Sequence, residues 1–138
     1  AERLISKYGQ EIISNFNNSA ELIKKSKLVV CTYPQTNFSE AMFSNTPTIL
    51  LYNKLYWELS NEFSDMIREL EEQKIIFSNP VLAAKHLSEV VEKIDYWWES
   101  DATVNARKSF FDNCLLIDPN ATMKWSNFFK SQLNKTHT

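Results

Sequence analysis

The chain has 138 residues, a net charge of −2, an apolar content of 43% and an aromatic content of 13%, values typical of one globular domain. Its single glycine excludes a P-loop and a dinucleotide-binding loop, which need several, and its two histidines cannot build a histidine-based zinc site. A charge so close to zero gives no electrostatic reason to expect a nucleic-acid partner.

The first elements that the sequence predicts are a helix and a buried strand. Residues 11–14 are a candidate for a short strand, and Ser19 is expected to cap a helix over residues 20–26. Residues 27–33 predict a strand, because their apolar run is too short for a helix and is rich in β-branched side chains.

A polar turn, a short helix and a second strand come next. Residues 35–39 are expected to form a loop, and residues 40–44 give a little over one helical turn. Asn45 suits the left-handed conformation in which many helices end. Residues 48–52 then predict a second buried strand. Apolar strands joined through a helix indicate a parallel sheet covered on both faces, and such sheets bind ligands at the carboxyl ends of their strands.

The region after the second strand contains two further helical patterns and a short strand. Residues 55–73 carry apolar side chains three and four positions apart, which predicts a helix. Residues 75–77 predict a third strand. Asn79 followed by Pro80 then marks the start of a helix over residues 81–94, because asparagine caps helices and proline is favoured in their first turn.

A helical tail is predicted over about residues 95–138, with one helix near residues 102–116 and another over residues 122–132. The complete order of elements predicts a three-layer, Rossmann-like α/β domain that spans residues 1–138, with a short parallel sheet and a C-terminal helical extension.

Several side chains of the predicted helices have structural interpretations. Trp97 and Trp98 are expected to anchor the tail on the rest of the domain. His86 falls between apolar positions at helical spacing and is interpreted as a core or boundary residue. Arg107 is either a phosphate contact or an ordinary solvated cation.

Five short motifs follow one another within residues 27–111: T-x-F-x-E at 36–40, N-T-P-T-I at 45–49, Y-W-E-L at 56–59, A-A at 83–84 and W-W at 97–98. The run over residues 40–49 resembles the E-A-L-A-x-G-x-P segment in the C-terminal lobe of GT-B glycosyltransferases. The longer pattern resembles a bacterial family of transferases from surface-polysaccharide gene clusters.

This resemblance implies that the chain is one half of a GT-B fold, the donor-binding lobe of a two-lobed enzyme. The start Ala1-Glu2-Arg3 lacks an initiator methionine, so we expect a segment of a longer chain. The resemblance implies that an N-terminal lobe of that longer chain supplies the catalytic base. The implied partners are a nucleotide-sugar donor and a glycan acceptor. No metal and no cofactor is expected, because helix dipoles and side chains can stabilise the departing phosphate.

The expected location is the cytoplasm. Cys31 and Cys114 look unpaired, which favours a reducing compartment, and a single disulfide between them is the alternative. The resemblance adds a peripheral association of the full-length enzyme with the inner face of the membrane.

The resemblance gives Glu40 the role of accepting hydrogen bonds from the ribose hydroxyls of the donor. A carboxylate suits this role, because each of its oxygens can accept from one of two adjacent hydroxyls. The alternative is a capping box, in which Asn37 and Glu40 only begin a helix. The other predicted donor-binding residues lie in the same loop, where they would meet the phosphates, the sugar or the base: Tyr33, Gln35, Thr36, Asn37 and Ser39.

A second candidate group follows the second strand. Tyr56, Trp57 and Glu58 are candidates for the acceptor side of the cleft, because aromatic faces and carboxylates both suit carbohydrate. Packing of Tyr56 and Trp57 within a helix is the alternative.

Two other functions are compatible with the same sequence. One is a non-catalytic α/β interaction domain, in which the turn before Glu40 is only a helix cap and the aromatic tail is a docking surface. The other is a nucleotide-sugar epimerase with the same two-lobed fold. If a lobe is missing, an exposed apolar patch is expected in the tail after Tyr96.

Overall fold

The computed structural model describes residues 2–10, 18–57, 60–114 and 118–135. Within these residues, the strands are β1 (Val29–Cys31), β2 (Thr48–Leu51) and β3 (Ile76–Phe77). The helices are α1 (Glu2–Tyr8), α2 (Ser19–Lys25), α3 (Thr36–Phe43), α4 (Ser64–Glu72), α5 (Pro80–Val90), α6 (Ile94–Trp98), α7 (Asp101–Cys114) and α8 (Ala121–Lys135).

The described strands form one parallel sheet in the order β1-β2-β3. In its register, Val30 lies opposite Ile49, and Leu50 lies opposite Ile76. The predicted short parallel sheet is therefore confirmed. The candidate strand at residues 11–14 lies outside the described residues.

The sheet buries alternate side chains on its two faces. Leu50 contributes to the larger core, which collects side chains from α3, α4, α6 and α7. The preceding residue, Ile49, contributes to a smaller core, to which α5 contributes Ala83. Helices thus cover both faces, as expected for parallel strands with continuous apolar sequence. Coverage is incomplete at β1, where Val30 is 48% exposed.

The prediction that residues 35–39 form a loop is wrong. Helix α3 already begins at Thr36, and Gln35 is its extended N-cap residue. The N–H of Phe38 donates to the carbonyl of Gln35 at 2.9 Å, which closes the first turn. The physical reason is burial, because a helical first turn directs Phe38 into the core, where its ring meets Phe110 edge-on at 5.3 Å.

The prediction of one helix over residues 55–73 is also wrong at its start. The side-chain oxygen of Asn53 accepts from the N–H of Leu55 at 2.9 Å, which forms an Asx turn in place of helix. Leu55 is 88% exposed, so no burial favours a helical conformation there. A single 3-10 turn at Asn61–Phe63 leads into α4, which begins at Ser64.

The helix predicted over residues 81–94 is divided. Asn79 caps α5, as expected, by accepting from the N–H groups of Val81 and Leu82. Helix α5 ends at Val90, and a 3-10 turn at Val91–Lys93 separates it from the short helix α6. The two predicted tail helices are confirmed as α7 and α8.

Candidate functional site

The carboxyl ends of β1 and β2 bring two groups of predicted site residues to one edge of the sheet. Tyr33 follows β1 and Trp57 follows β2. Their rings stack with centroids 6.3 Å apart and planes inclined by 17°. Tyr56 is 80% exposed and Trp57 is 37% exposed, and both precede α4 rather than lie in it. The alternative that these two aromatic residues pack within a helix is therefore wrong.

The N-terminus of α3 begins at the same edge. Thr36 and Asn37 occupy its first two positions and are exposed. The side chain of the N-cap residue, Gln35, accepts no hydrogen bond from the helix. The first N–H groups of a helix have no partner within it, and they lie at the positive end of the helix dipole. This terminus can therefore receive an anionic group such as a phosphate.

Glu40 lies in the second turn of α3, which excludes the capping box. Asn37 is the second residue of the helix rather than its cap, so the pairing that a capping box requires is absent. Ser39, like Glu40, is half-buried. The main-chain carbonyl of Glu40 accepts from the N–H of Ser44 at 2.9 Å and from the hydroxyl of Ser44 at 2.8 Å.

The carboxylate of Glu40 is not satisfied in the same way. Its Oε2 atom is buried, and no described group of the protein donates a hydrogen bond to it. A buried acceptor without a donor costs free energy comparable to the loss of a hydrogen bond. Thr36 lies four residues before Glu40, so the two share one face of α3. The unsatisfied carboxylate oxygen is thus one turn from the uncapped helix terminus.

A cavity of about 260 Å³ opens beside β1, between α2 and the start of α3. Tyr33 and Asn37 line it together with Ile23, Val30 and Cys31, whereas Glu40 is not among its lining residues. Burial raises the pKa of the Cys31 thiol. Cys31 therefore contributes an apolar surface to this cavity and not a thiolate nucleophile.

A larger cavity of about 470 Å³ lies along β3, and none of the predicted site residues that the structure describes lines it. Its polar lining includes Lys54 and Glu71, which form an ion pair at 2.6 Å, and His86. The imidazole of His86 is half-buried between Phe77 and Trp97, with centroids 5.6 and 4.9 Å away. Burial lowers the pKa of His86, as expected for a residue at the boundary of the core.

Arg107 belongs to a buried cluster and not to the surface. Its guanidinium lies 4.2 Å from the centre of the Trp98 ring and donates to the side-chain oxygen of Asn45. The indole N–H of Trp98 donates to the main-chain oxygen of Asn45 at 3.1 Å. Asn45 has a φ of 56°, the left-handed conformation that the sequence predicted. Both sequence-based interpretations of Arg107 are wrong, because the residue fixes the turn that ends α3.

The same cluster confirms the structural interpretation of the paired tryptophans. Trp98 is fully buried, and the indole N–H of Trp97 donates to the carbonyl of Gln73 at 2.8 Å. Cys31 and Cys114 are both free thiols. Glu58, the third candidate on the acceptor side, lies outside the described residues.

Two further observations concern the described residues alone. They contain no group of three or more histidine, cysteine, aspartate or glutamate side chains that could hold a metal ion. Among their helices, none is both long enough and apolar enough to span a bilayer.

The parallel sheet with helices on both faces defines an α/β protein. A family model, that of the LIC12162 family transferase, matches residues 1–129. The chain belongs to this family of transferases. Comparison with curated proteins gave no match, and comparison with solved structures gave none.

Proposed function

We propose that the chain is the donor-binding lobe of a glycosyltransferase and that it binds a nucleotide sugar at the carboxyl edge of its sheet. The observation that carries the proposal is the buried, unsatisfied Oε2 atom of Glu40, one helical turn from the uncapped start of α3. Membership of a transferase family is consistent with this reaction class.

The geometry of α3 matches two neighbouring groups of a nucleotide. The N–H groups at Thr36 and Asn37 suit a diphosphate, because they combine free donors with the positive end of the helix dipole. Glu40 lies four residues further on, about 6 Å along the helix axis. Its half-buried carboxylate would then accept from ribose hydroxyls once the side chain turns Oε2 toward the donor, because Oε2 has no exposed surface in this conformation. Gln35 and Ser39 flank the phosphate position in this arrangement.

The aromatic residues of the same edge are proposed to contact the sugar and its acceptor. Tyr33 would contact the base or the donor sugar from the loop after β1. Tyr56 and Trp57 offer exposed rings that suit the apolar faces of carbohydrate, and Glu58 would complete the acceptor side. By the motif resemblance, the full-length enzyme would hold a second α/β lobe with the catalytic base. It would act in the cytoplasm in the synthesis of bacterial surface polysaccharide.

Glu40→Gln tests this proposal. In the full-length enzyme, the affinity for its nucleotide sugar should fall about 10- to 150-fold, or about 1.5–3 kcal/mol, because a hydrogen bond to a charged acceptor is lost. Isothermal titration calorimetry with a panel of UDP-, GDP- and CMP-linked sugars measures this. The free energy of unfolding should change by less than about 1 kcal/mol, because no described protein group bonds to Oε2.

Glu69→Gln is the matched control, because Glu69 is an exposed glutamate of α4 that does not line the cavity beside β1. Its affinity should equal that of the wild type. Equal affinity of Glu40→Gln for a donor that the wild-type enzyme binds would rule out the ribose role. Product analysis separates a glycosyltransferase, which transfers the sugar, from an epimerase, which releases it with one centre inverted.

A further inference from the structure

The C-terminal helix α8 exposes a cluster of large apolar side chains. Every side chain from residue 122 to residue 133 is exposed. The exposed fractions of the large apolar ones lie between 51% and 63%, and these residues are Met123, Trp125, Phe128, Phe129 and Leu133. An exposed cluster of this kind marks an interaction surface.

The aromatic members of the cluster form one continuous surface. The ring centroids of Trp125, Phe128 and Phe129 are 5.6 to 5.9 Å apart. Positions three and four residues apart share a face of a helix, so these rings project from the same side of α8. Exposed aromatic rings in mutual contact present more apolar surface to a flat partner than isolated ones do.

The charges of α8 identify the partner. The helix sequence, ATMKWSNFFKSQLNK, contains lysines but no aspartate or glutamate. Lys124 directly precedes Trp125 and Lys130 directly follows Phe129, each about 100° further around the helix, so cations flank the aromatic face on both sides. Lys124 also pairs with Asp118, which lies three residues before α8 begins. A second copy of this helix would bring like charges together, because α8 carries no acidic residue to pair with them. An anionic surface would instead attract the lysines of α8.

The length of the helix fixes the geometry of binding. Fifteen residues extend about 22 Å, which is less than the roughly 30 Å of a hydrocarbon core. Tryptophan and phenylalanine with flanking lysines are typical of helices that lie in the plane of the headgroups. We propose that α8 is an interfacial helix that inserts Trp125, Phe128 and Phe129 into the surface of an anionic phospholipid bilayer. This inference does not depend on the proposed donor site.

Vesicle flotation tests the proposal on the full-length enzyme, so a second lobe that covers α8 would prevent flotation and overturn the proposal. The protein should float with vesicles that contain about one-third phosphatidylglycerol and much less with vesicles of pure phosphatidylcholine, and added salt should weaken the binding. A triple variant, Trp125→Ser with Phe128→Ser and Phe129→Ser, should bind about tenfold less tightly or worse. Lys124→Gln with Lys130→Gln should reduce the preference for the anionic vesicles.

The matched control is Val81→Ser with Leu82→Ser, which removes two exposed apolar side chains from α5. This variant should float like the wild type. All the substituted positions are exposed, so the variants should fold, and far-UV circular dichroism with thermal melting checks that they do.

Quenching by brominated phosphatidylcholine, mixed into the anionic vesicles, tests the depth of insertion. Tryptophan fluorescence should be quenched in the wild type and not in Trp125→Phe. This variant keeps an aromatic ring at position 125, so it should still float with the vesicles. Absence of flotation at low salt, equal flotation of the triple variant, or undiminished quenching of Trp125→Phe would each overturn the proposal. Self-association that the triple variant abolishes, without any vesicle binding, would assign the surface to a second copy instead.

Discussion

At the scale of single residues, the least expected feature is the buried cation of Arg107. It lies between the ring of Trp98 and the side-chain oxygen of Asn45, and Glu99 is 3.8 Å away. Burial lowers the pKa of Arg107, and the nearby carboxylate of Glu99 opposes that shift. The guanidinium keeps its charge, because the ordinary pKa of arginine is far above neutral pH. Asn45 therefore receives a charge-assisted hydrogen bond that holds the left-handed turn after α3.

Arg107→Lys should lower the free energy of unfolding by about 1–3 kcal/mol. Lysine keeps the charge but loses the planar stacking on Trp98 and the fixed direction of the donor toward Asn45. Urea denaturation followed by fluorescence measures the change. Lys108→Gln is the control, because Lys108 is the exposed neighbour on α7, and its effect should stay within about 0.5 kcal/mol. Equal stability of the two variants would contradict the role given to Arg107.

Neither Arg107 nor the state of Glu40 could be predicted in full from the sequence. Arg107 and Asn45 are 62 positions apart, and no local sequence pattern indicates that they are in contact. The motif identified Glu40 as a candidate, but only the packing around α3 shows that its Oε2 atom is buried without a donor. Asn45 itself was predictable, because asparagine is one of the few residues that tolerate a positive φ.

At the scale of elements, α3 positions the candidate site, and burial of Phe38 determines where α3 begins. Phe38→Ala should cost about 3–5 kcal/mol of unfolding free energy, because it leaves a cavity against Phe110. Phe43→Ala is a control on the same helix, and it should change stability by less than about 0.5 kcal/mol because Phe43 is exposed. Chemical denaturation of both variants gives the two values. Similar losses of stability in the two variants would mean that burial of Phe38 does not determine where α3 begins.

The strands and the helix boundaries differ in how well the sequence predicts them. The three strands and their parallel pairing are confirmed. They were predictable because their apolar runs are too short for a helix and contain β-branched residues. The first turn of α3 resembles a loop in sequence, since residues 35–37 are polar and exposed. Its helical conformation depends on the tertiary contact of Phe38 with Phe110, which local propensity does not encode.

At the scale of the whole molecule, the tail divides into two parts with different roles. Helices α6 and α7 contribute Trp98 and Phe110 to the larger core, so this part of the tail belongs to the folded domain. Helix α8 exposes its side chains from residue 122 to residue 133. The exposed apolar patch expected beyond Tyr96 is thus present, and it is concentrated in the last helix.

Removal of α8 by truncation after Asp118 should therefore leave the stability of the domain almost unchanged. The free energy of unfolding should shift by less than about 1 kcal/mol, because few buried contacts are lost. Urea denaturation of the truncated and complete chains measures both free energies. The slope of the unfolding free energy against urea concentration should also be nearly the same, since that slope follows the surface exposed on unfolding. Helix α8 has only 15 residues, so without tertiary packing it should be marginal in water and gain helicity on anionic vesicles. A loss of several kcal/mol on truncation would show instead that α8 packs on the domain, and its aromatic face would then be unavailable to a membrane.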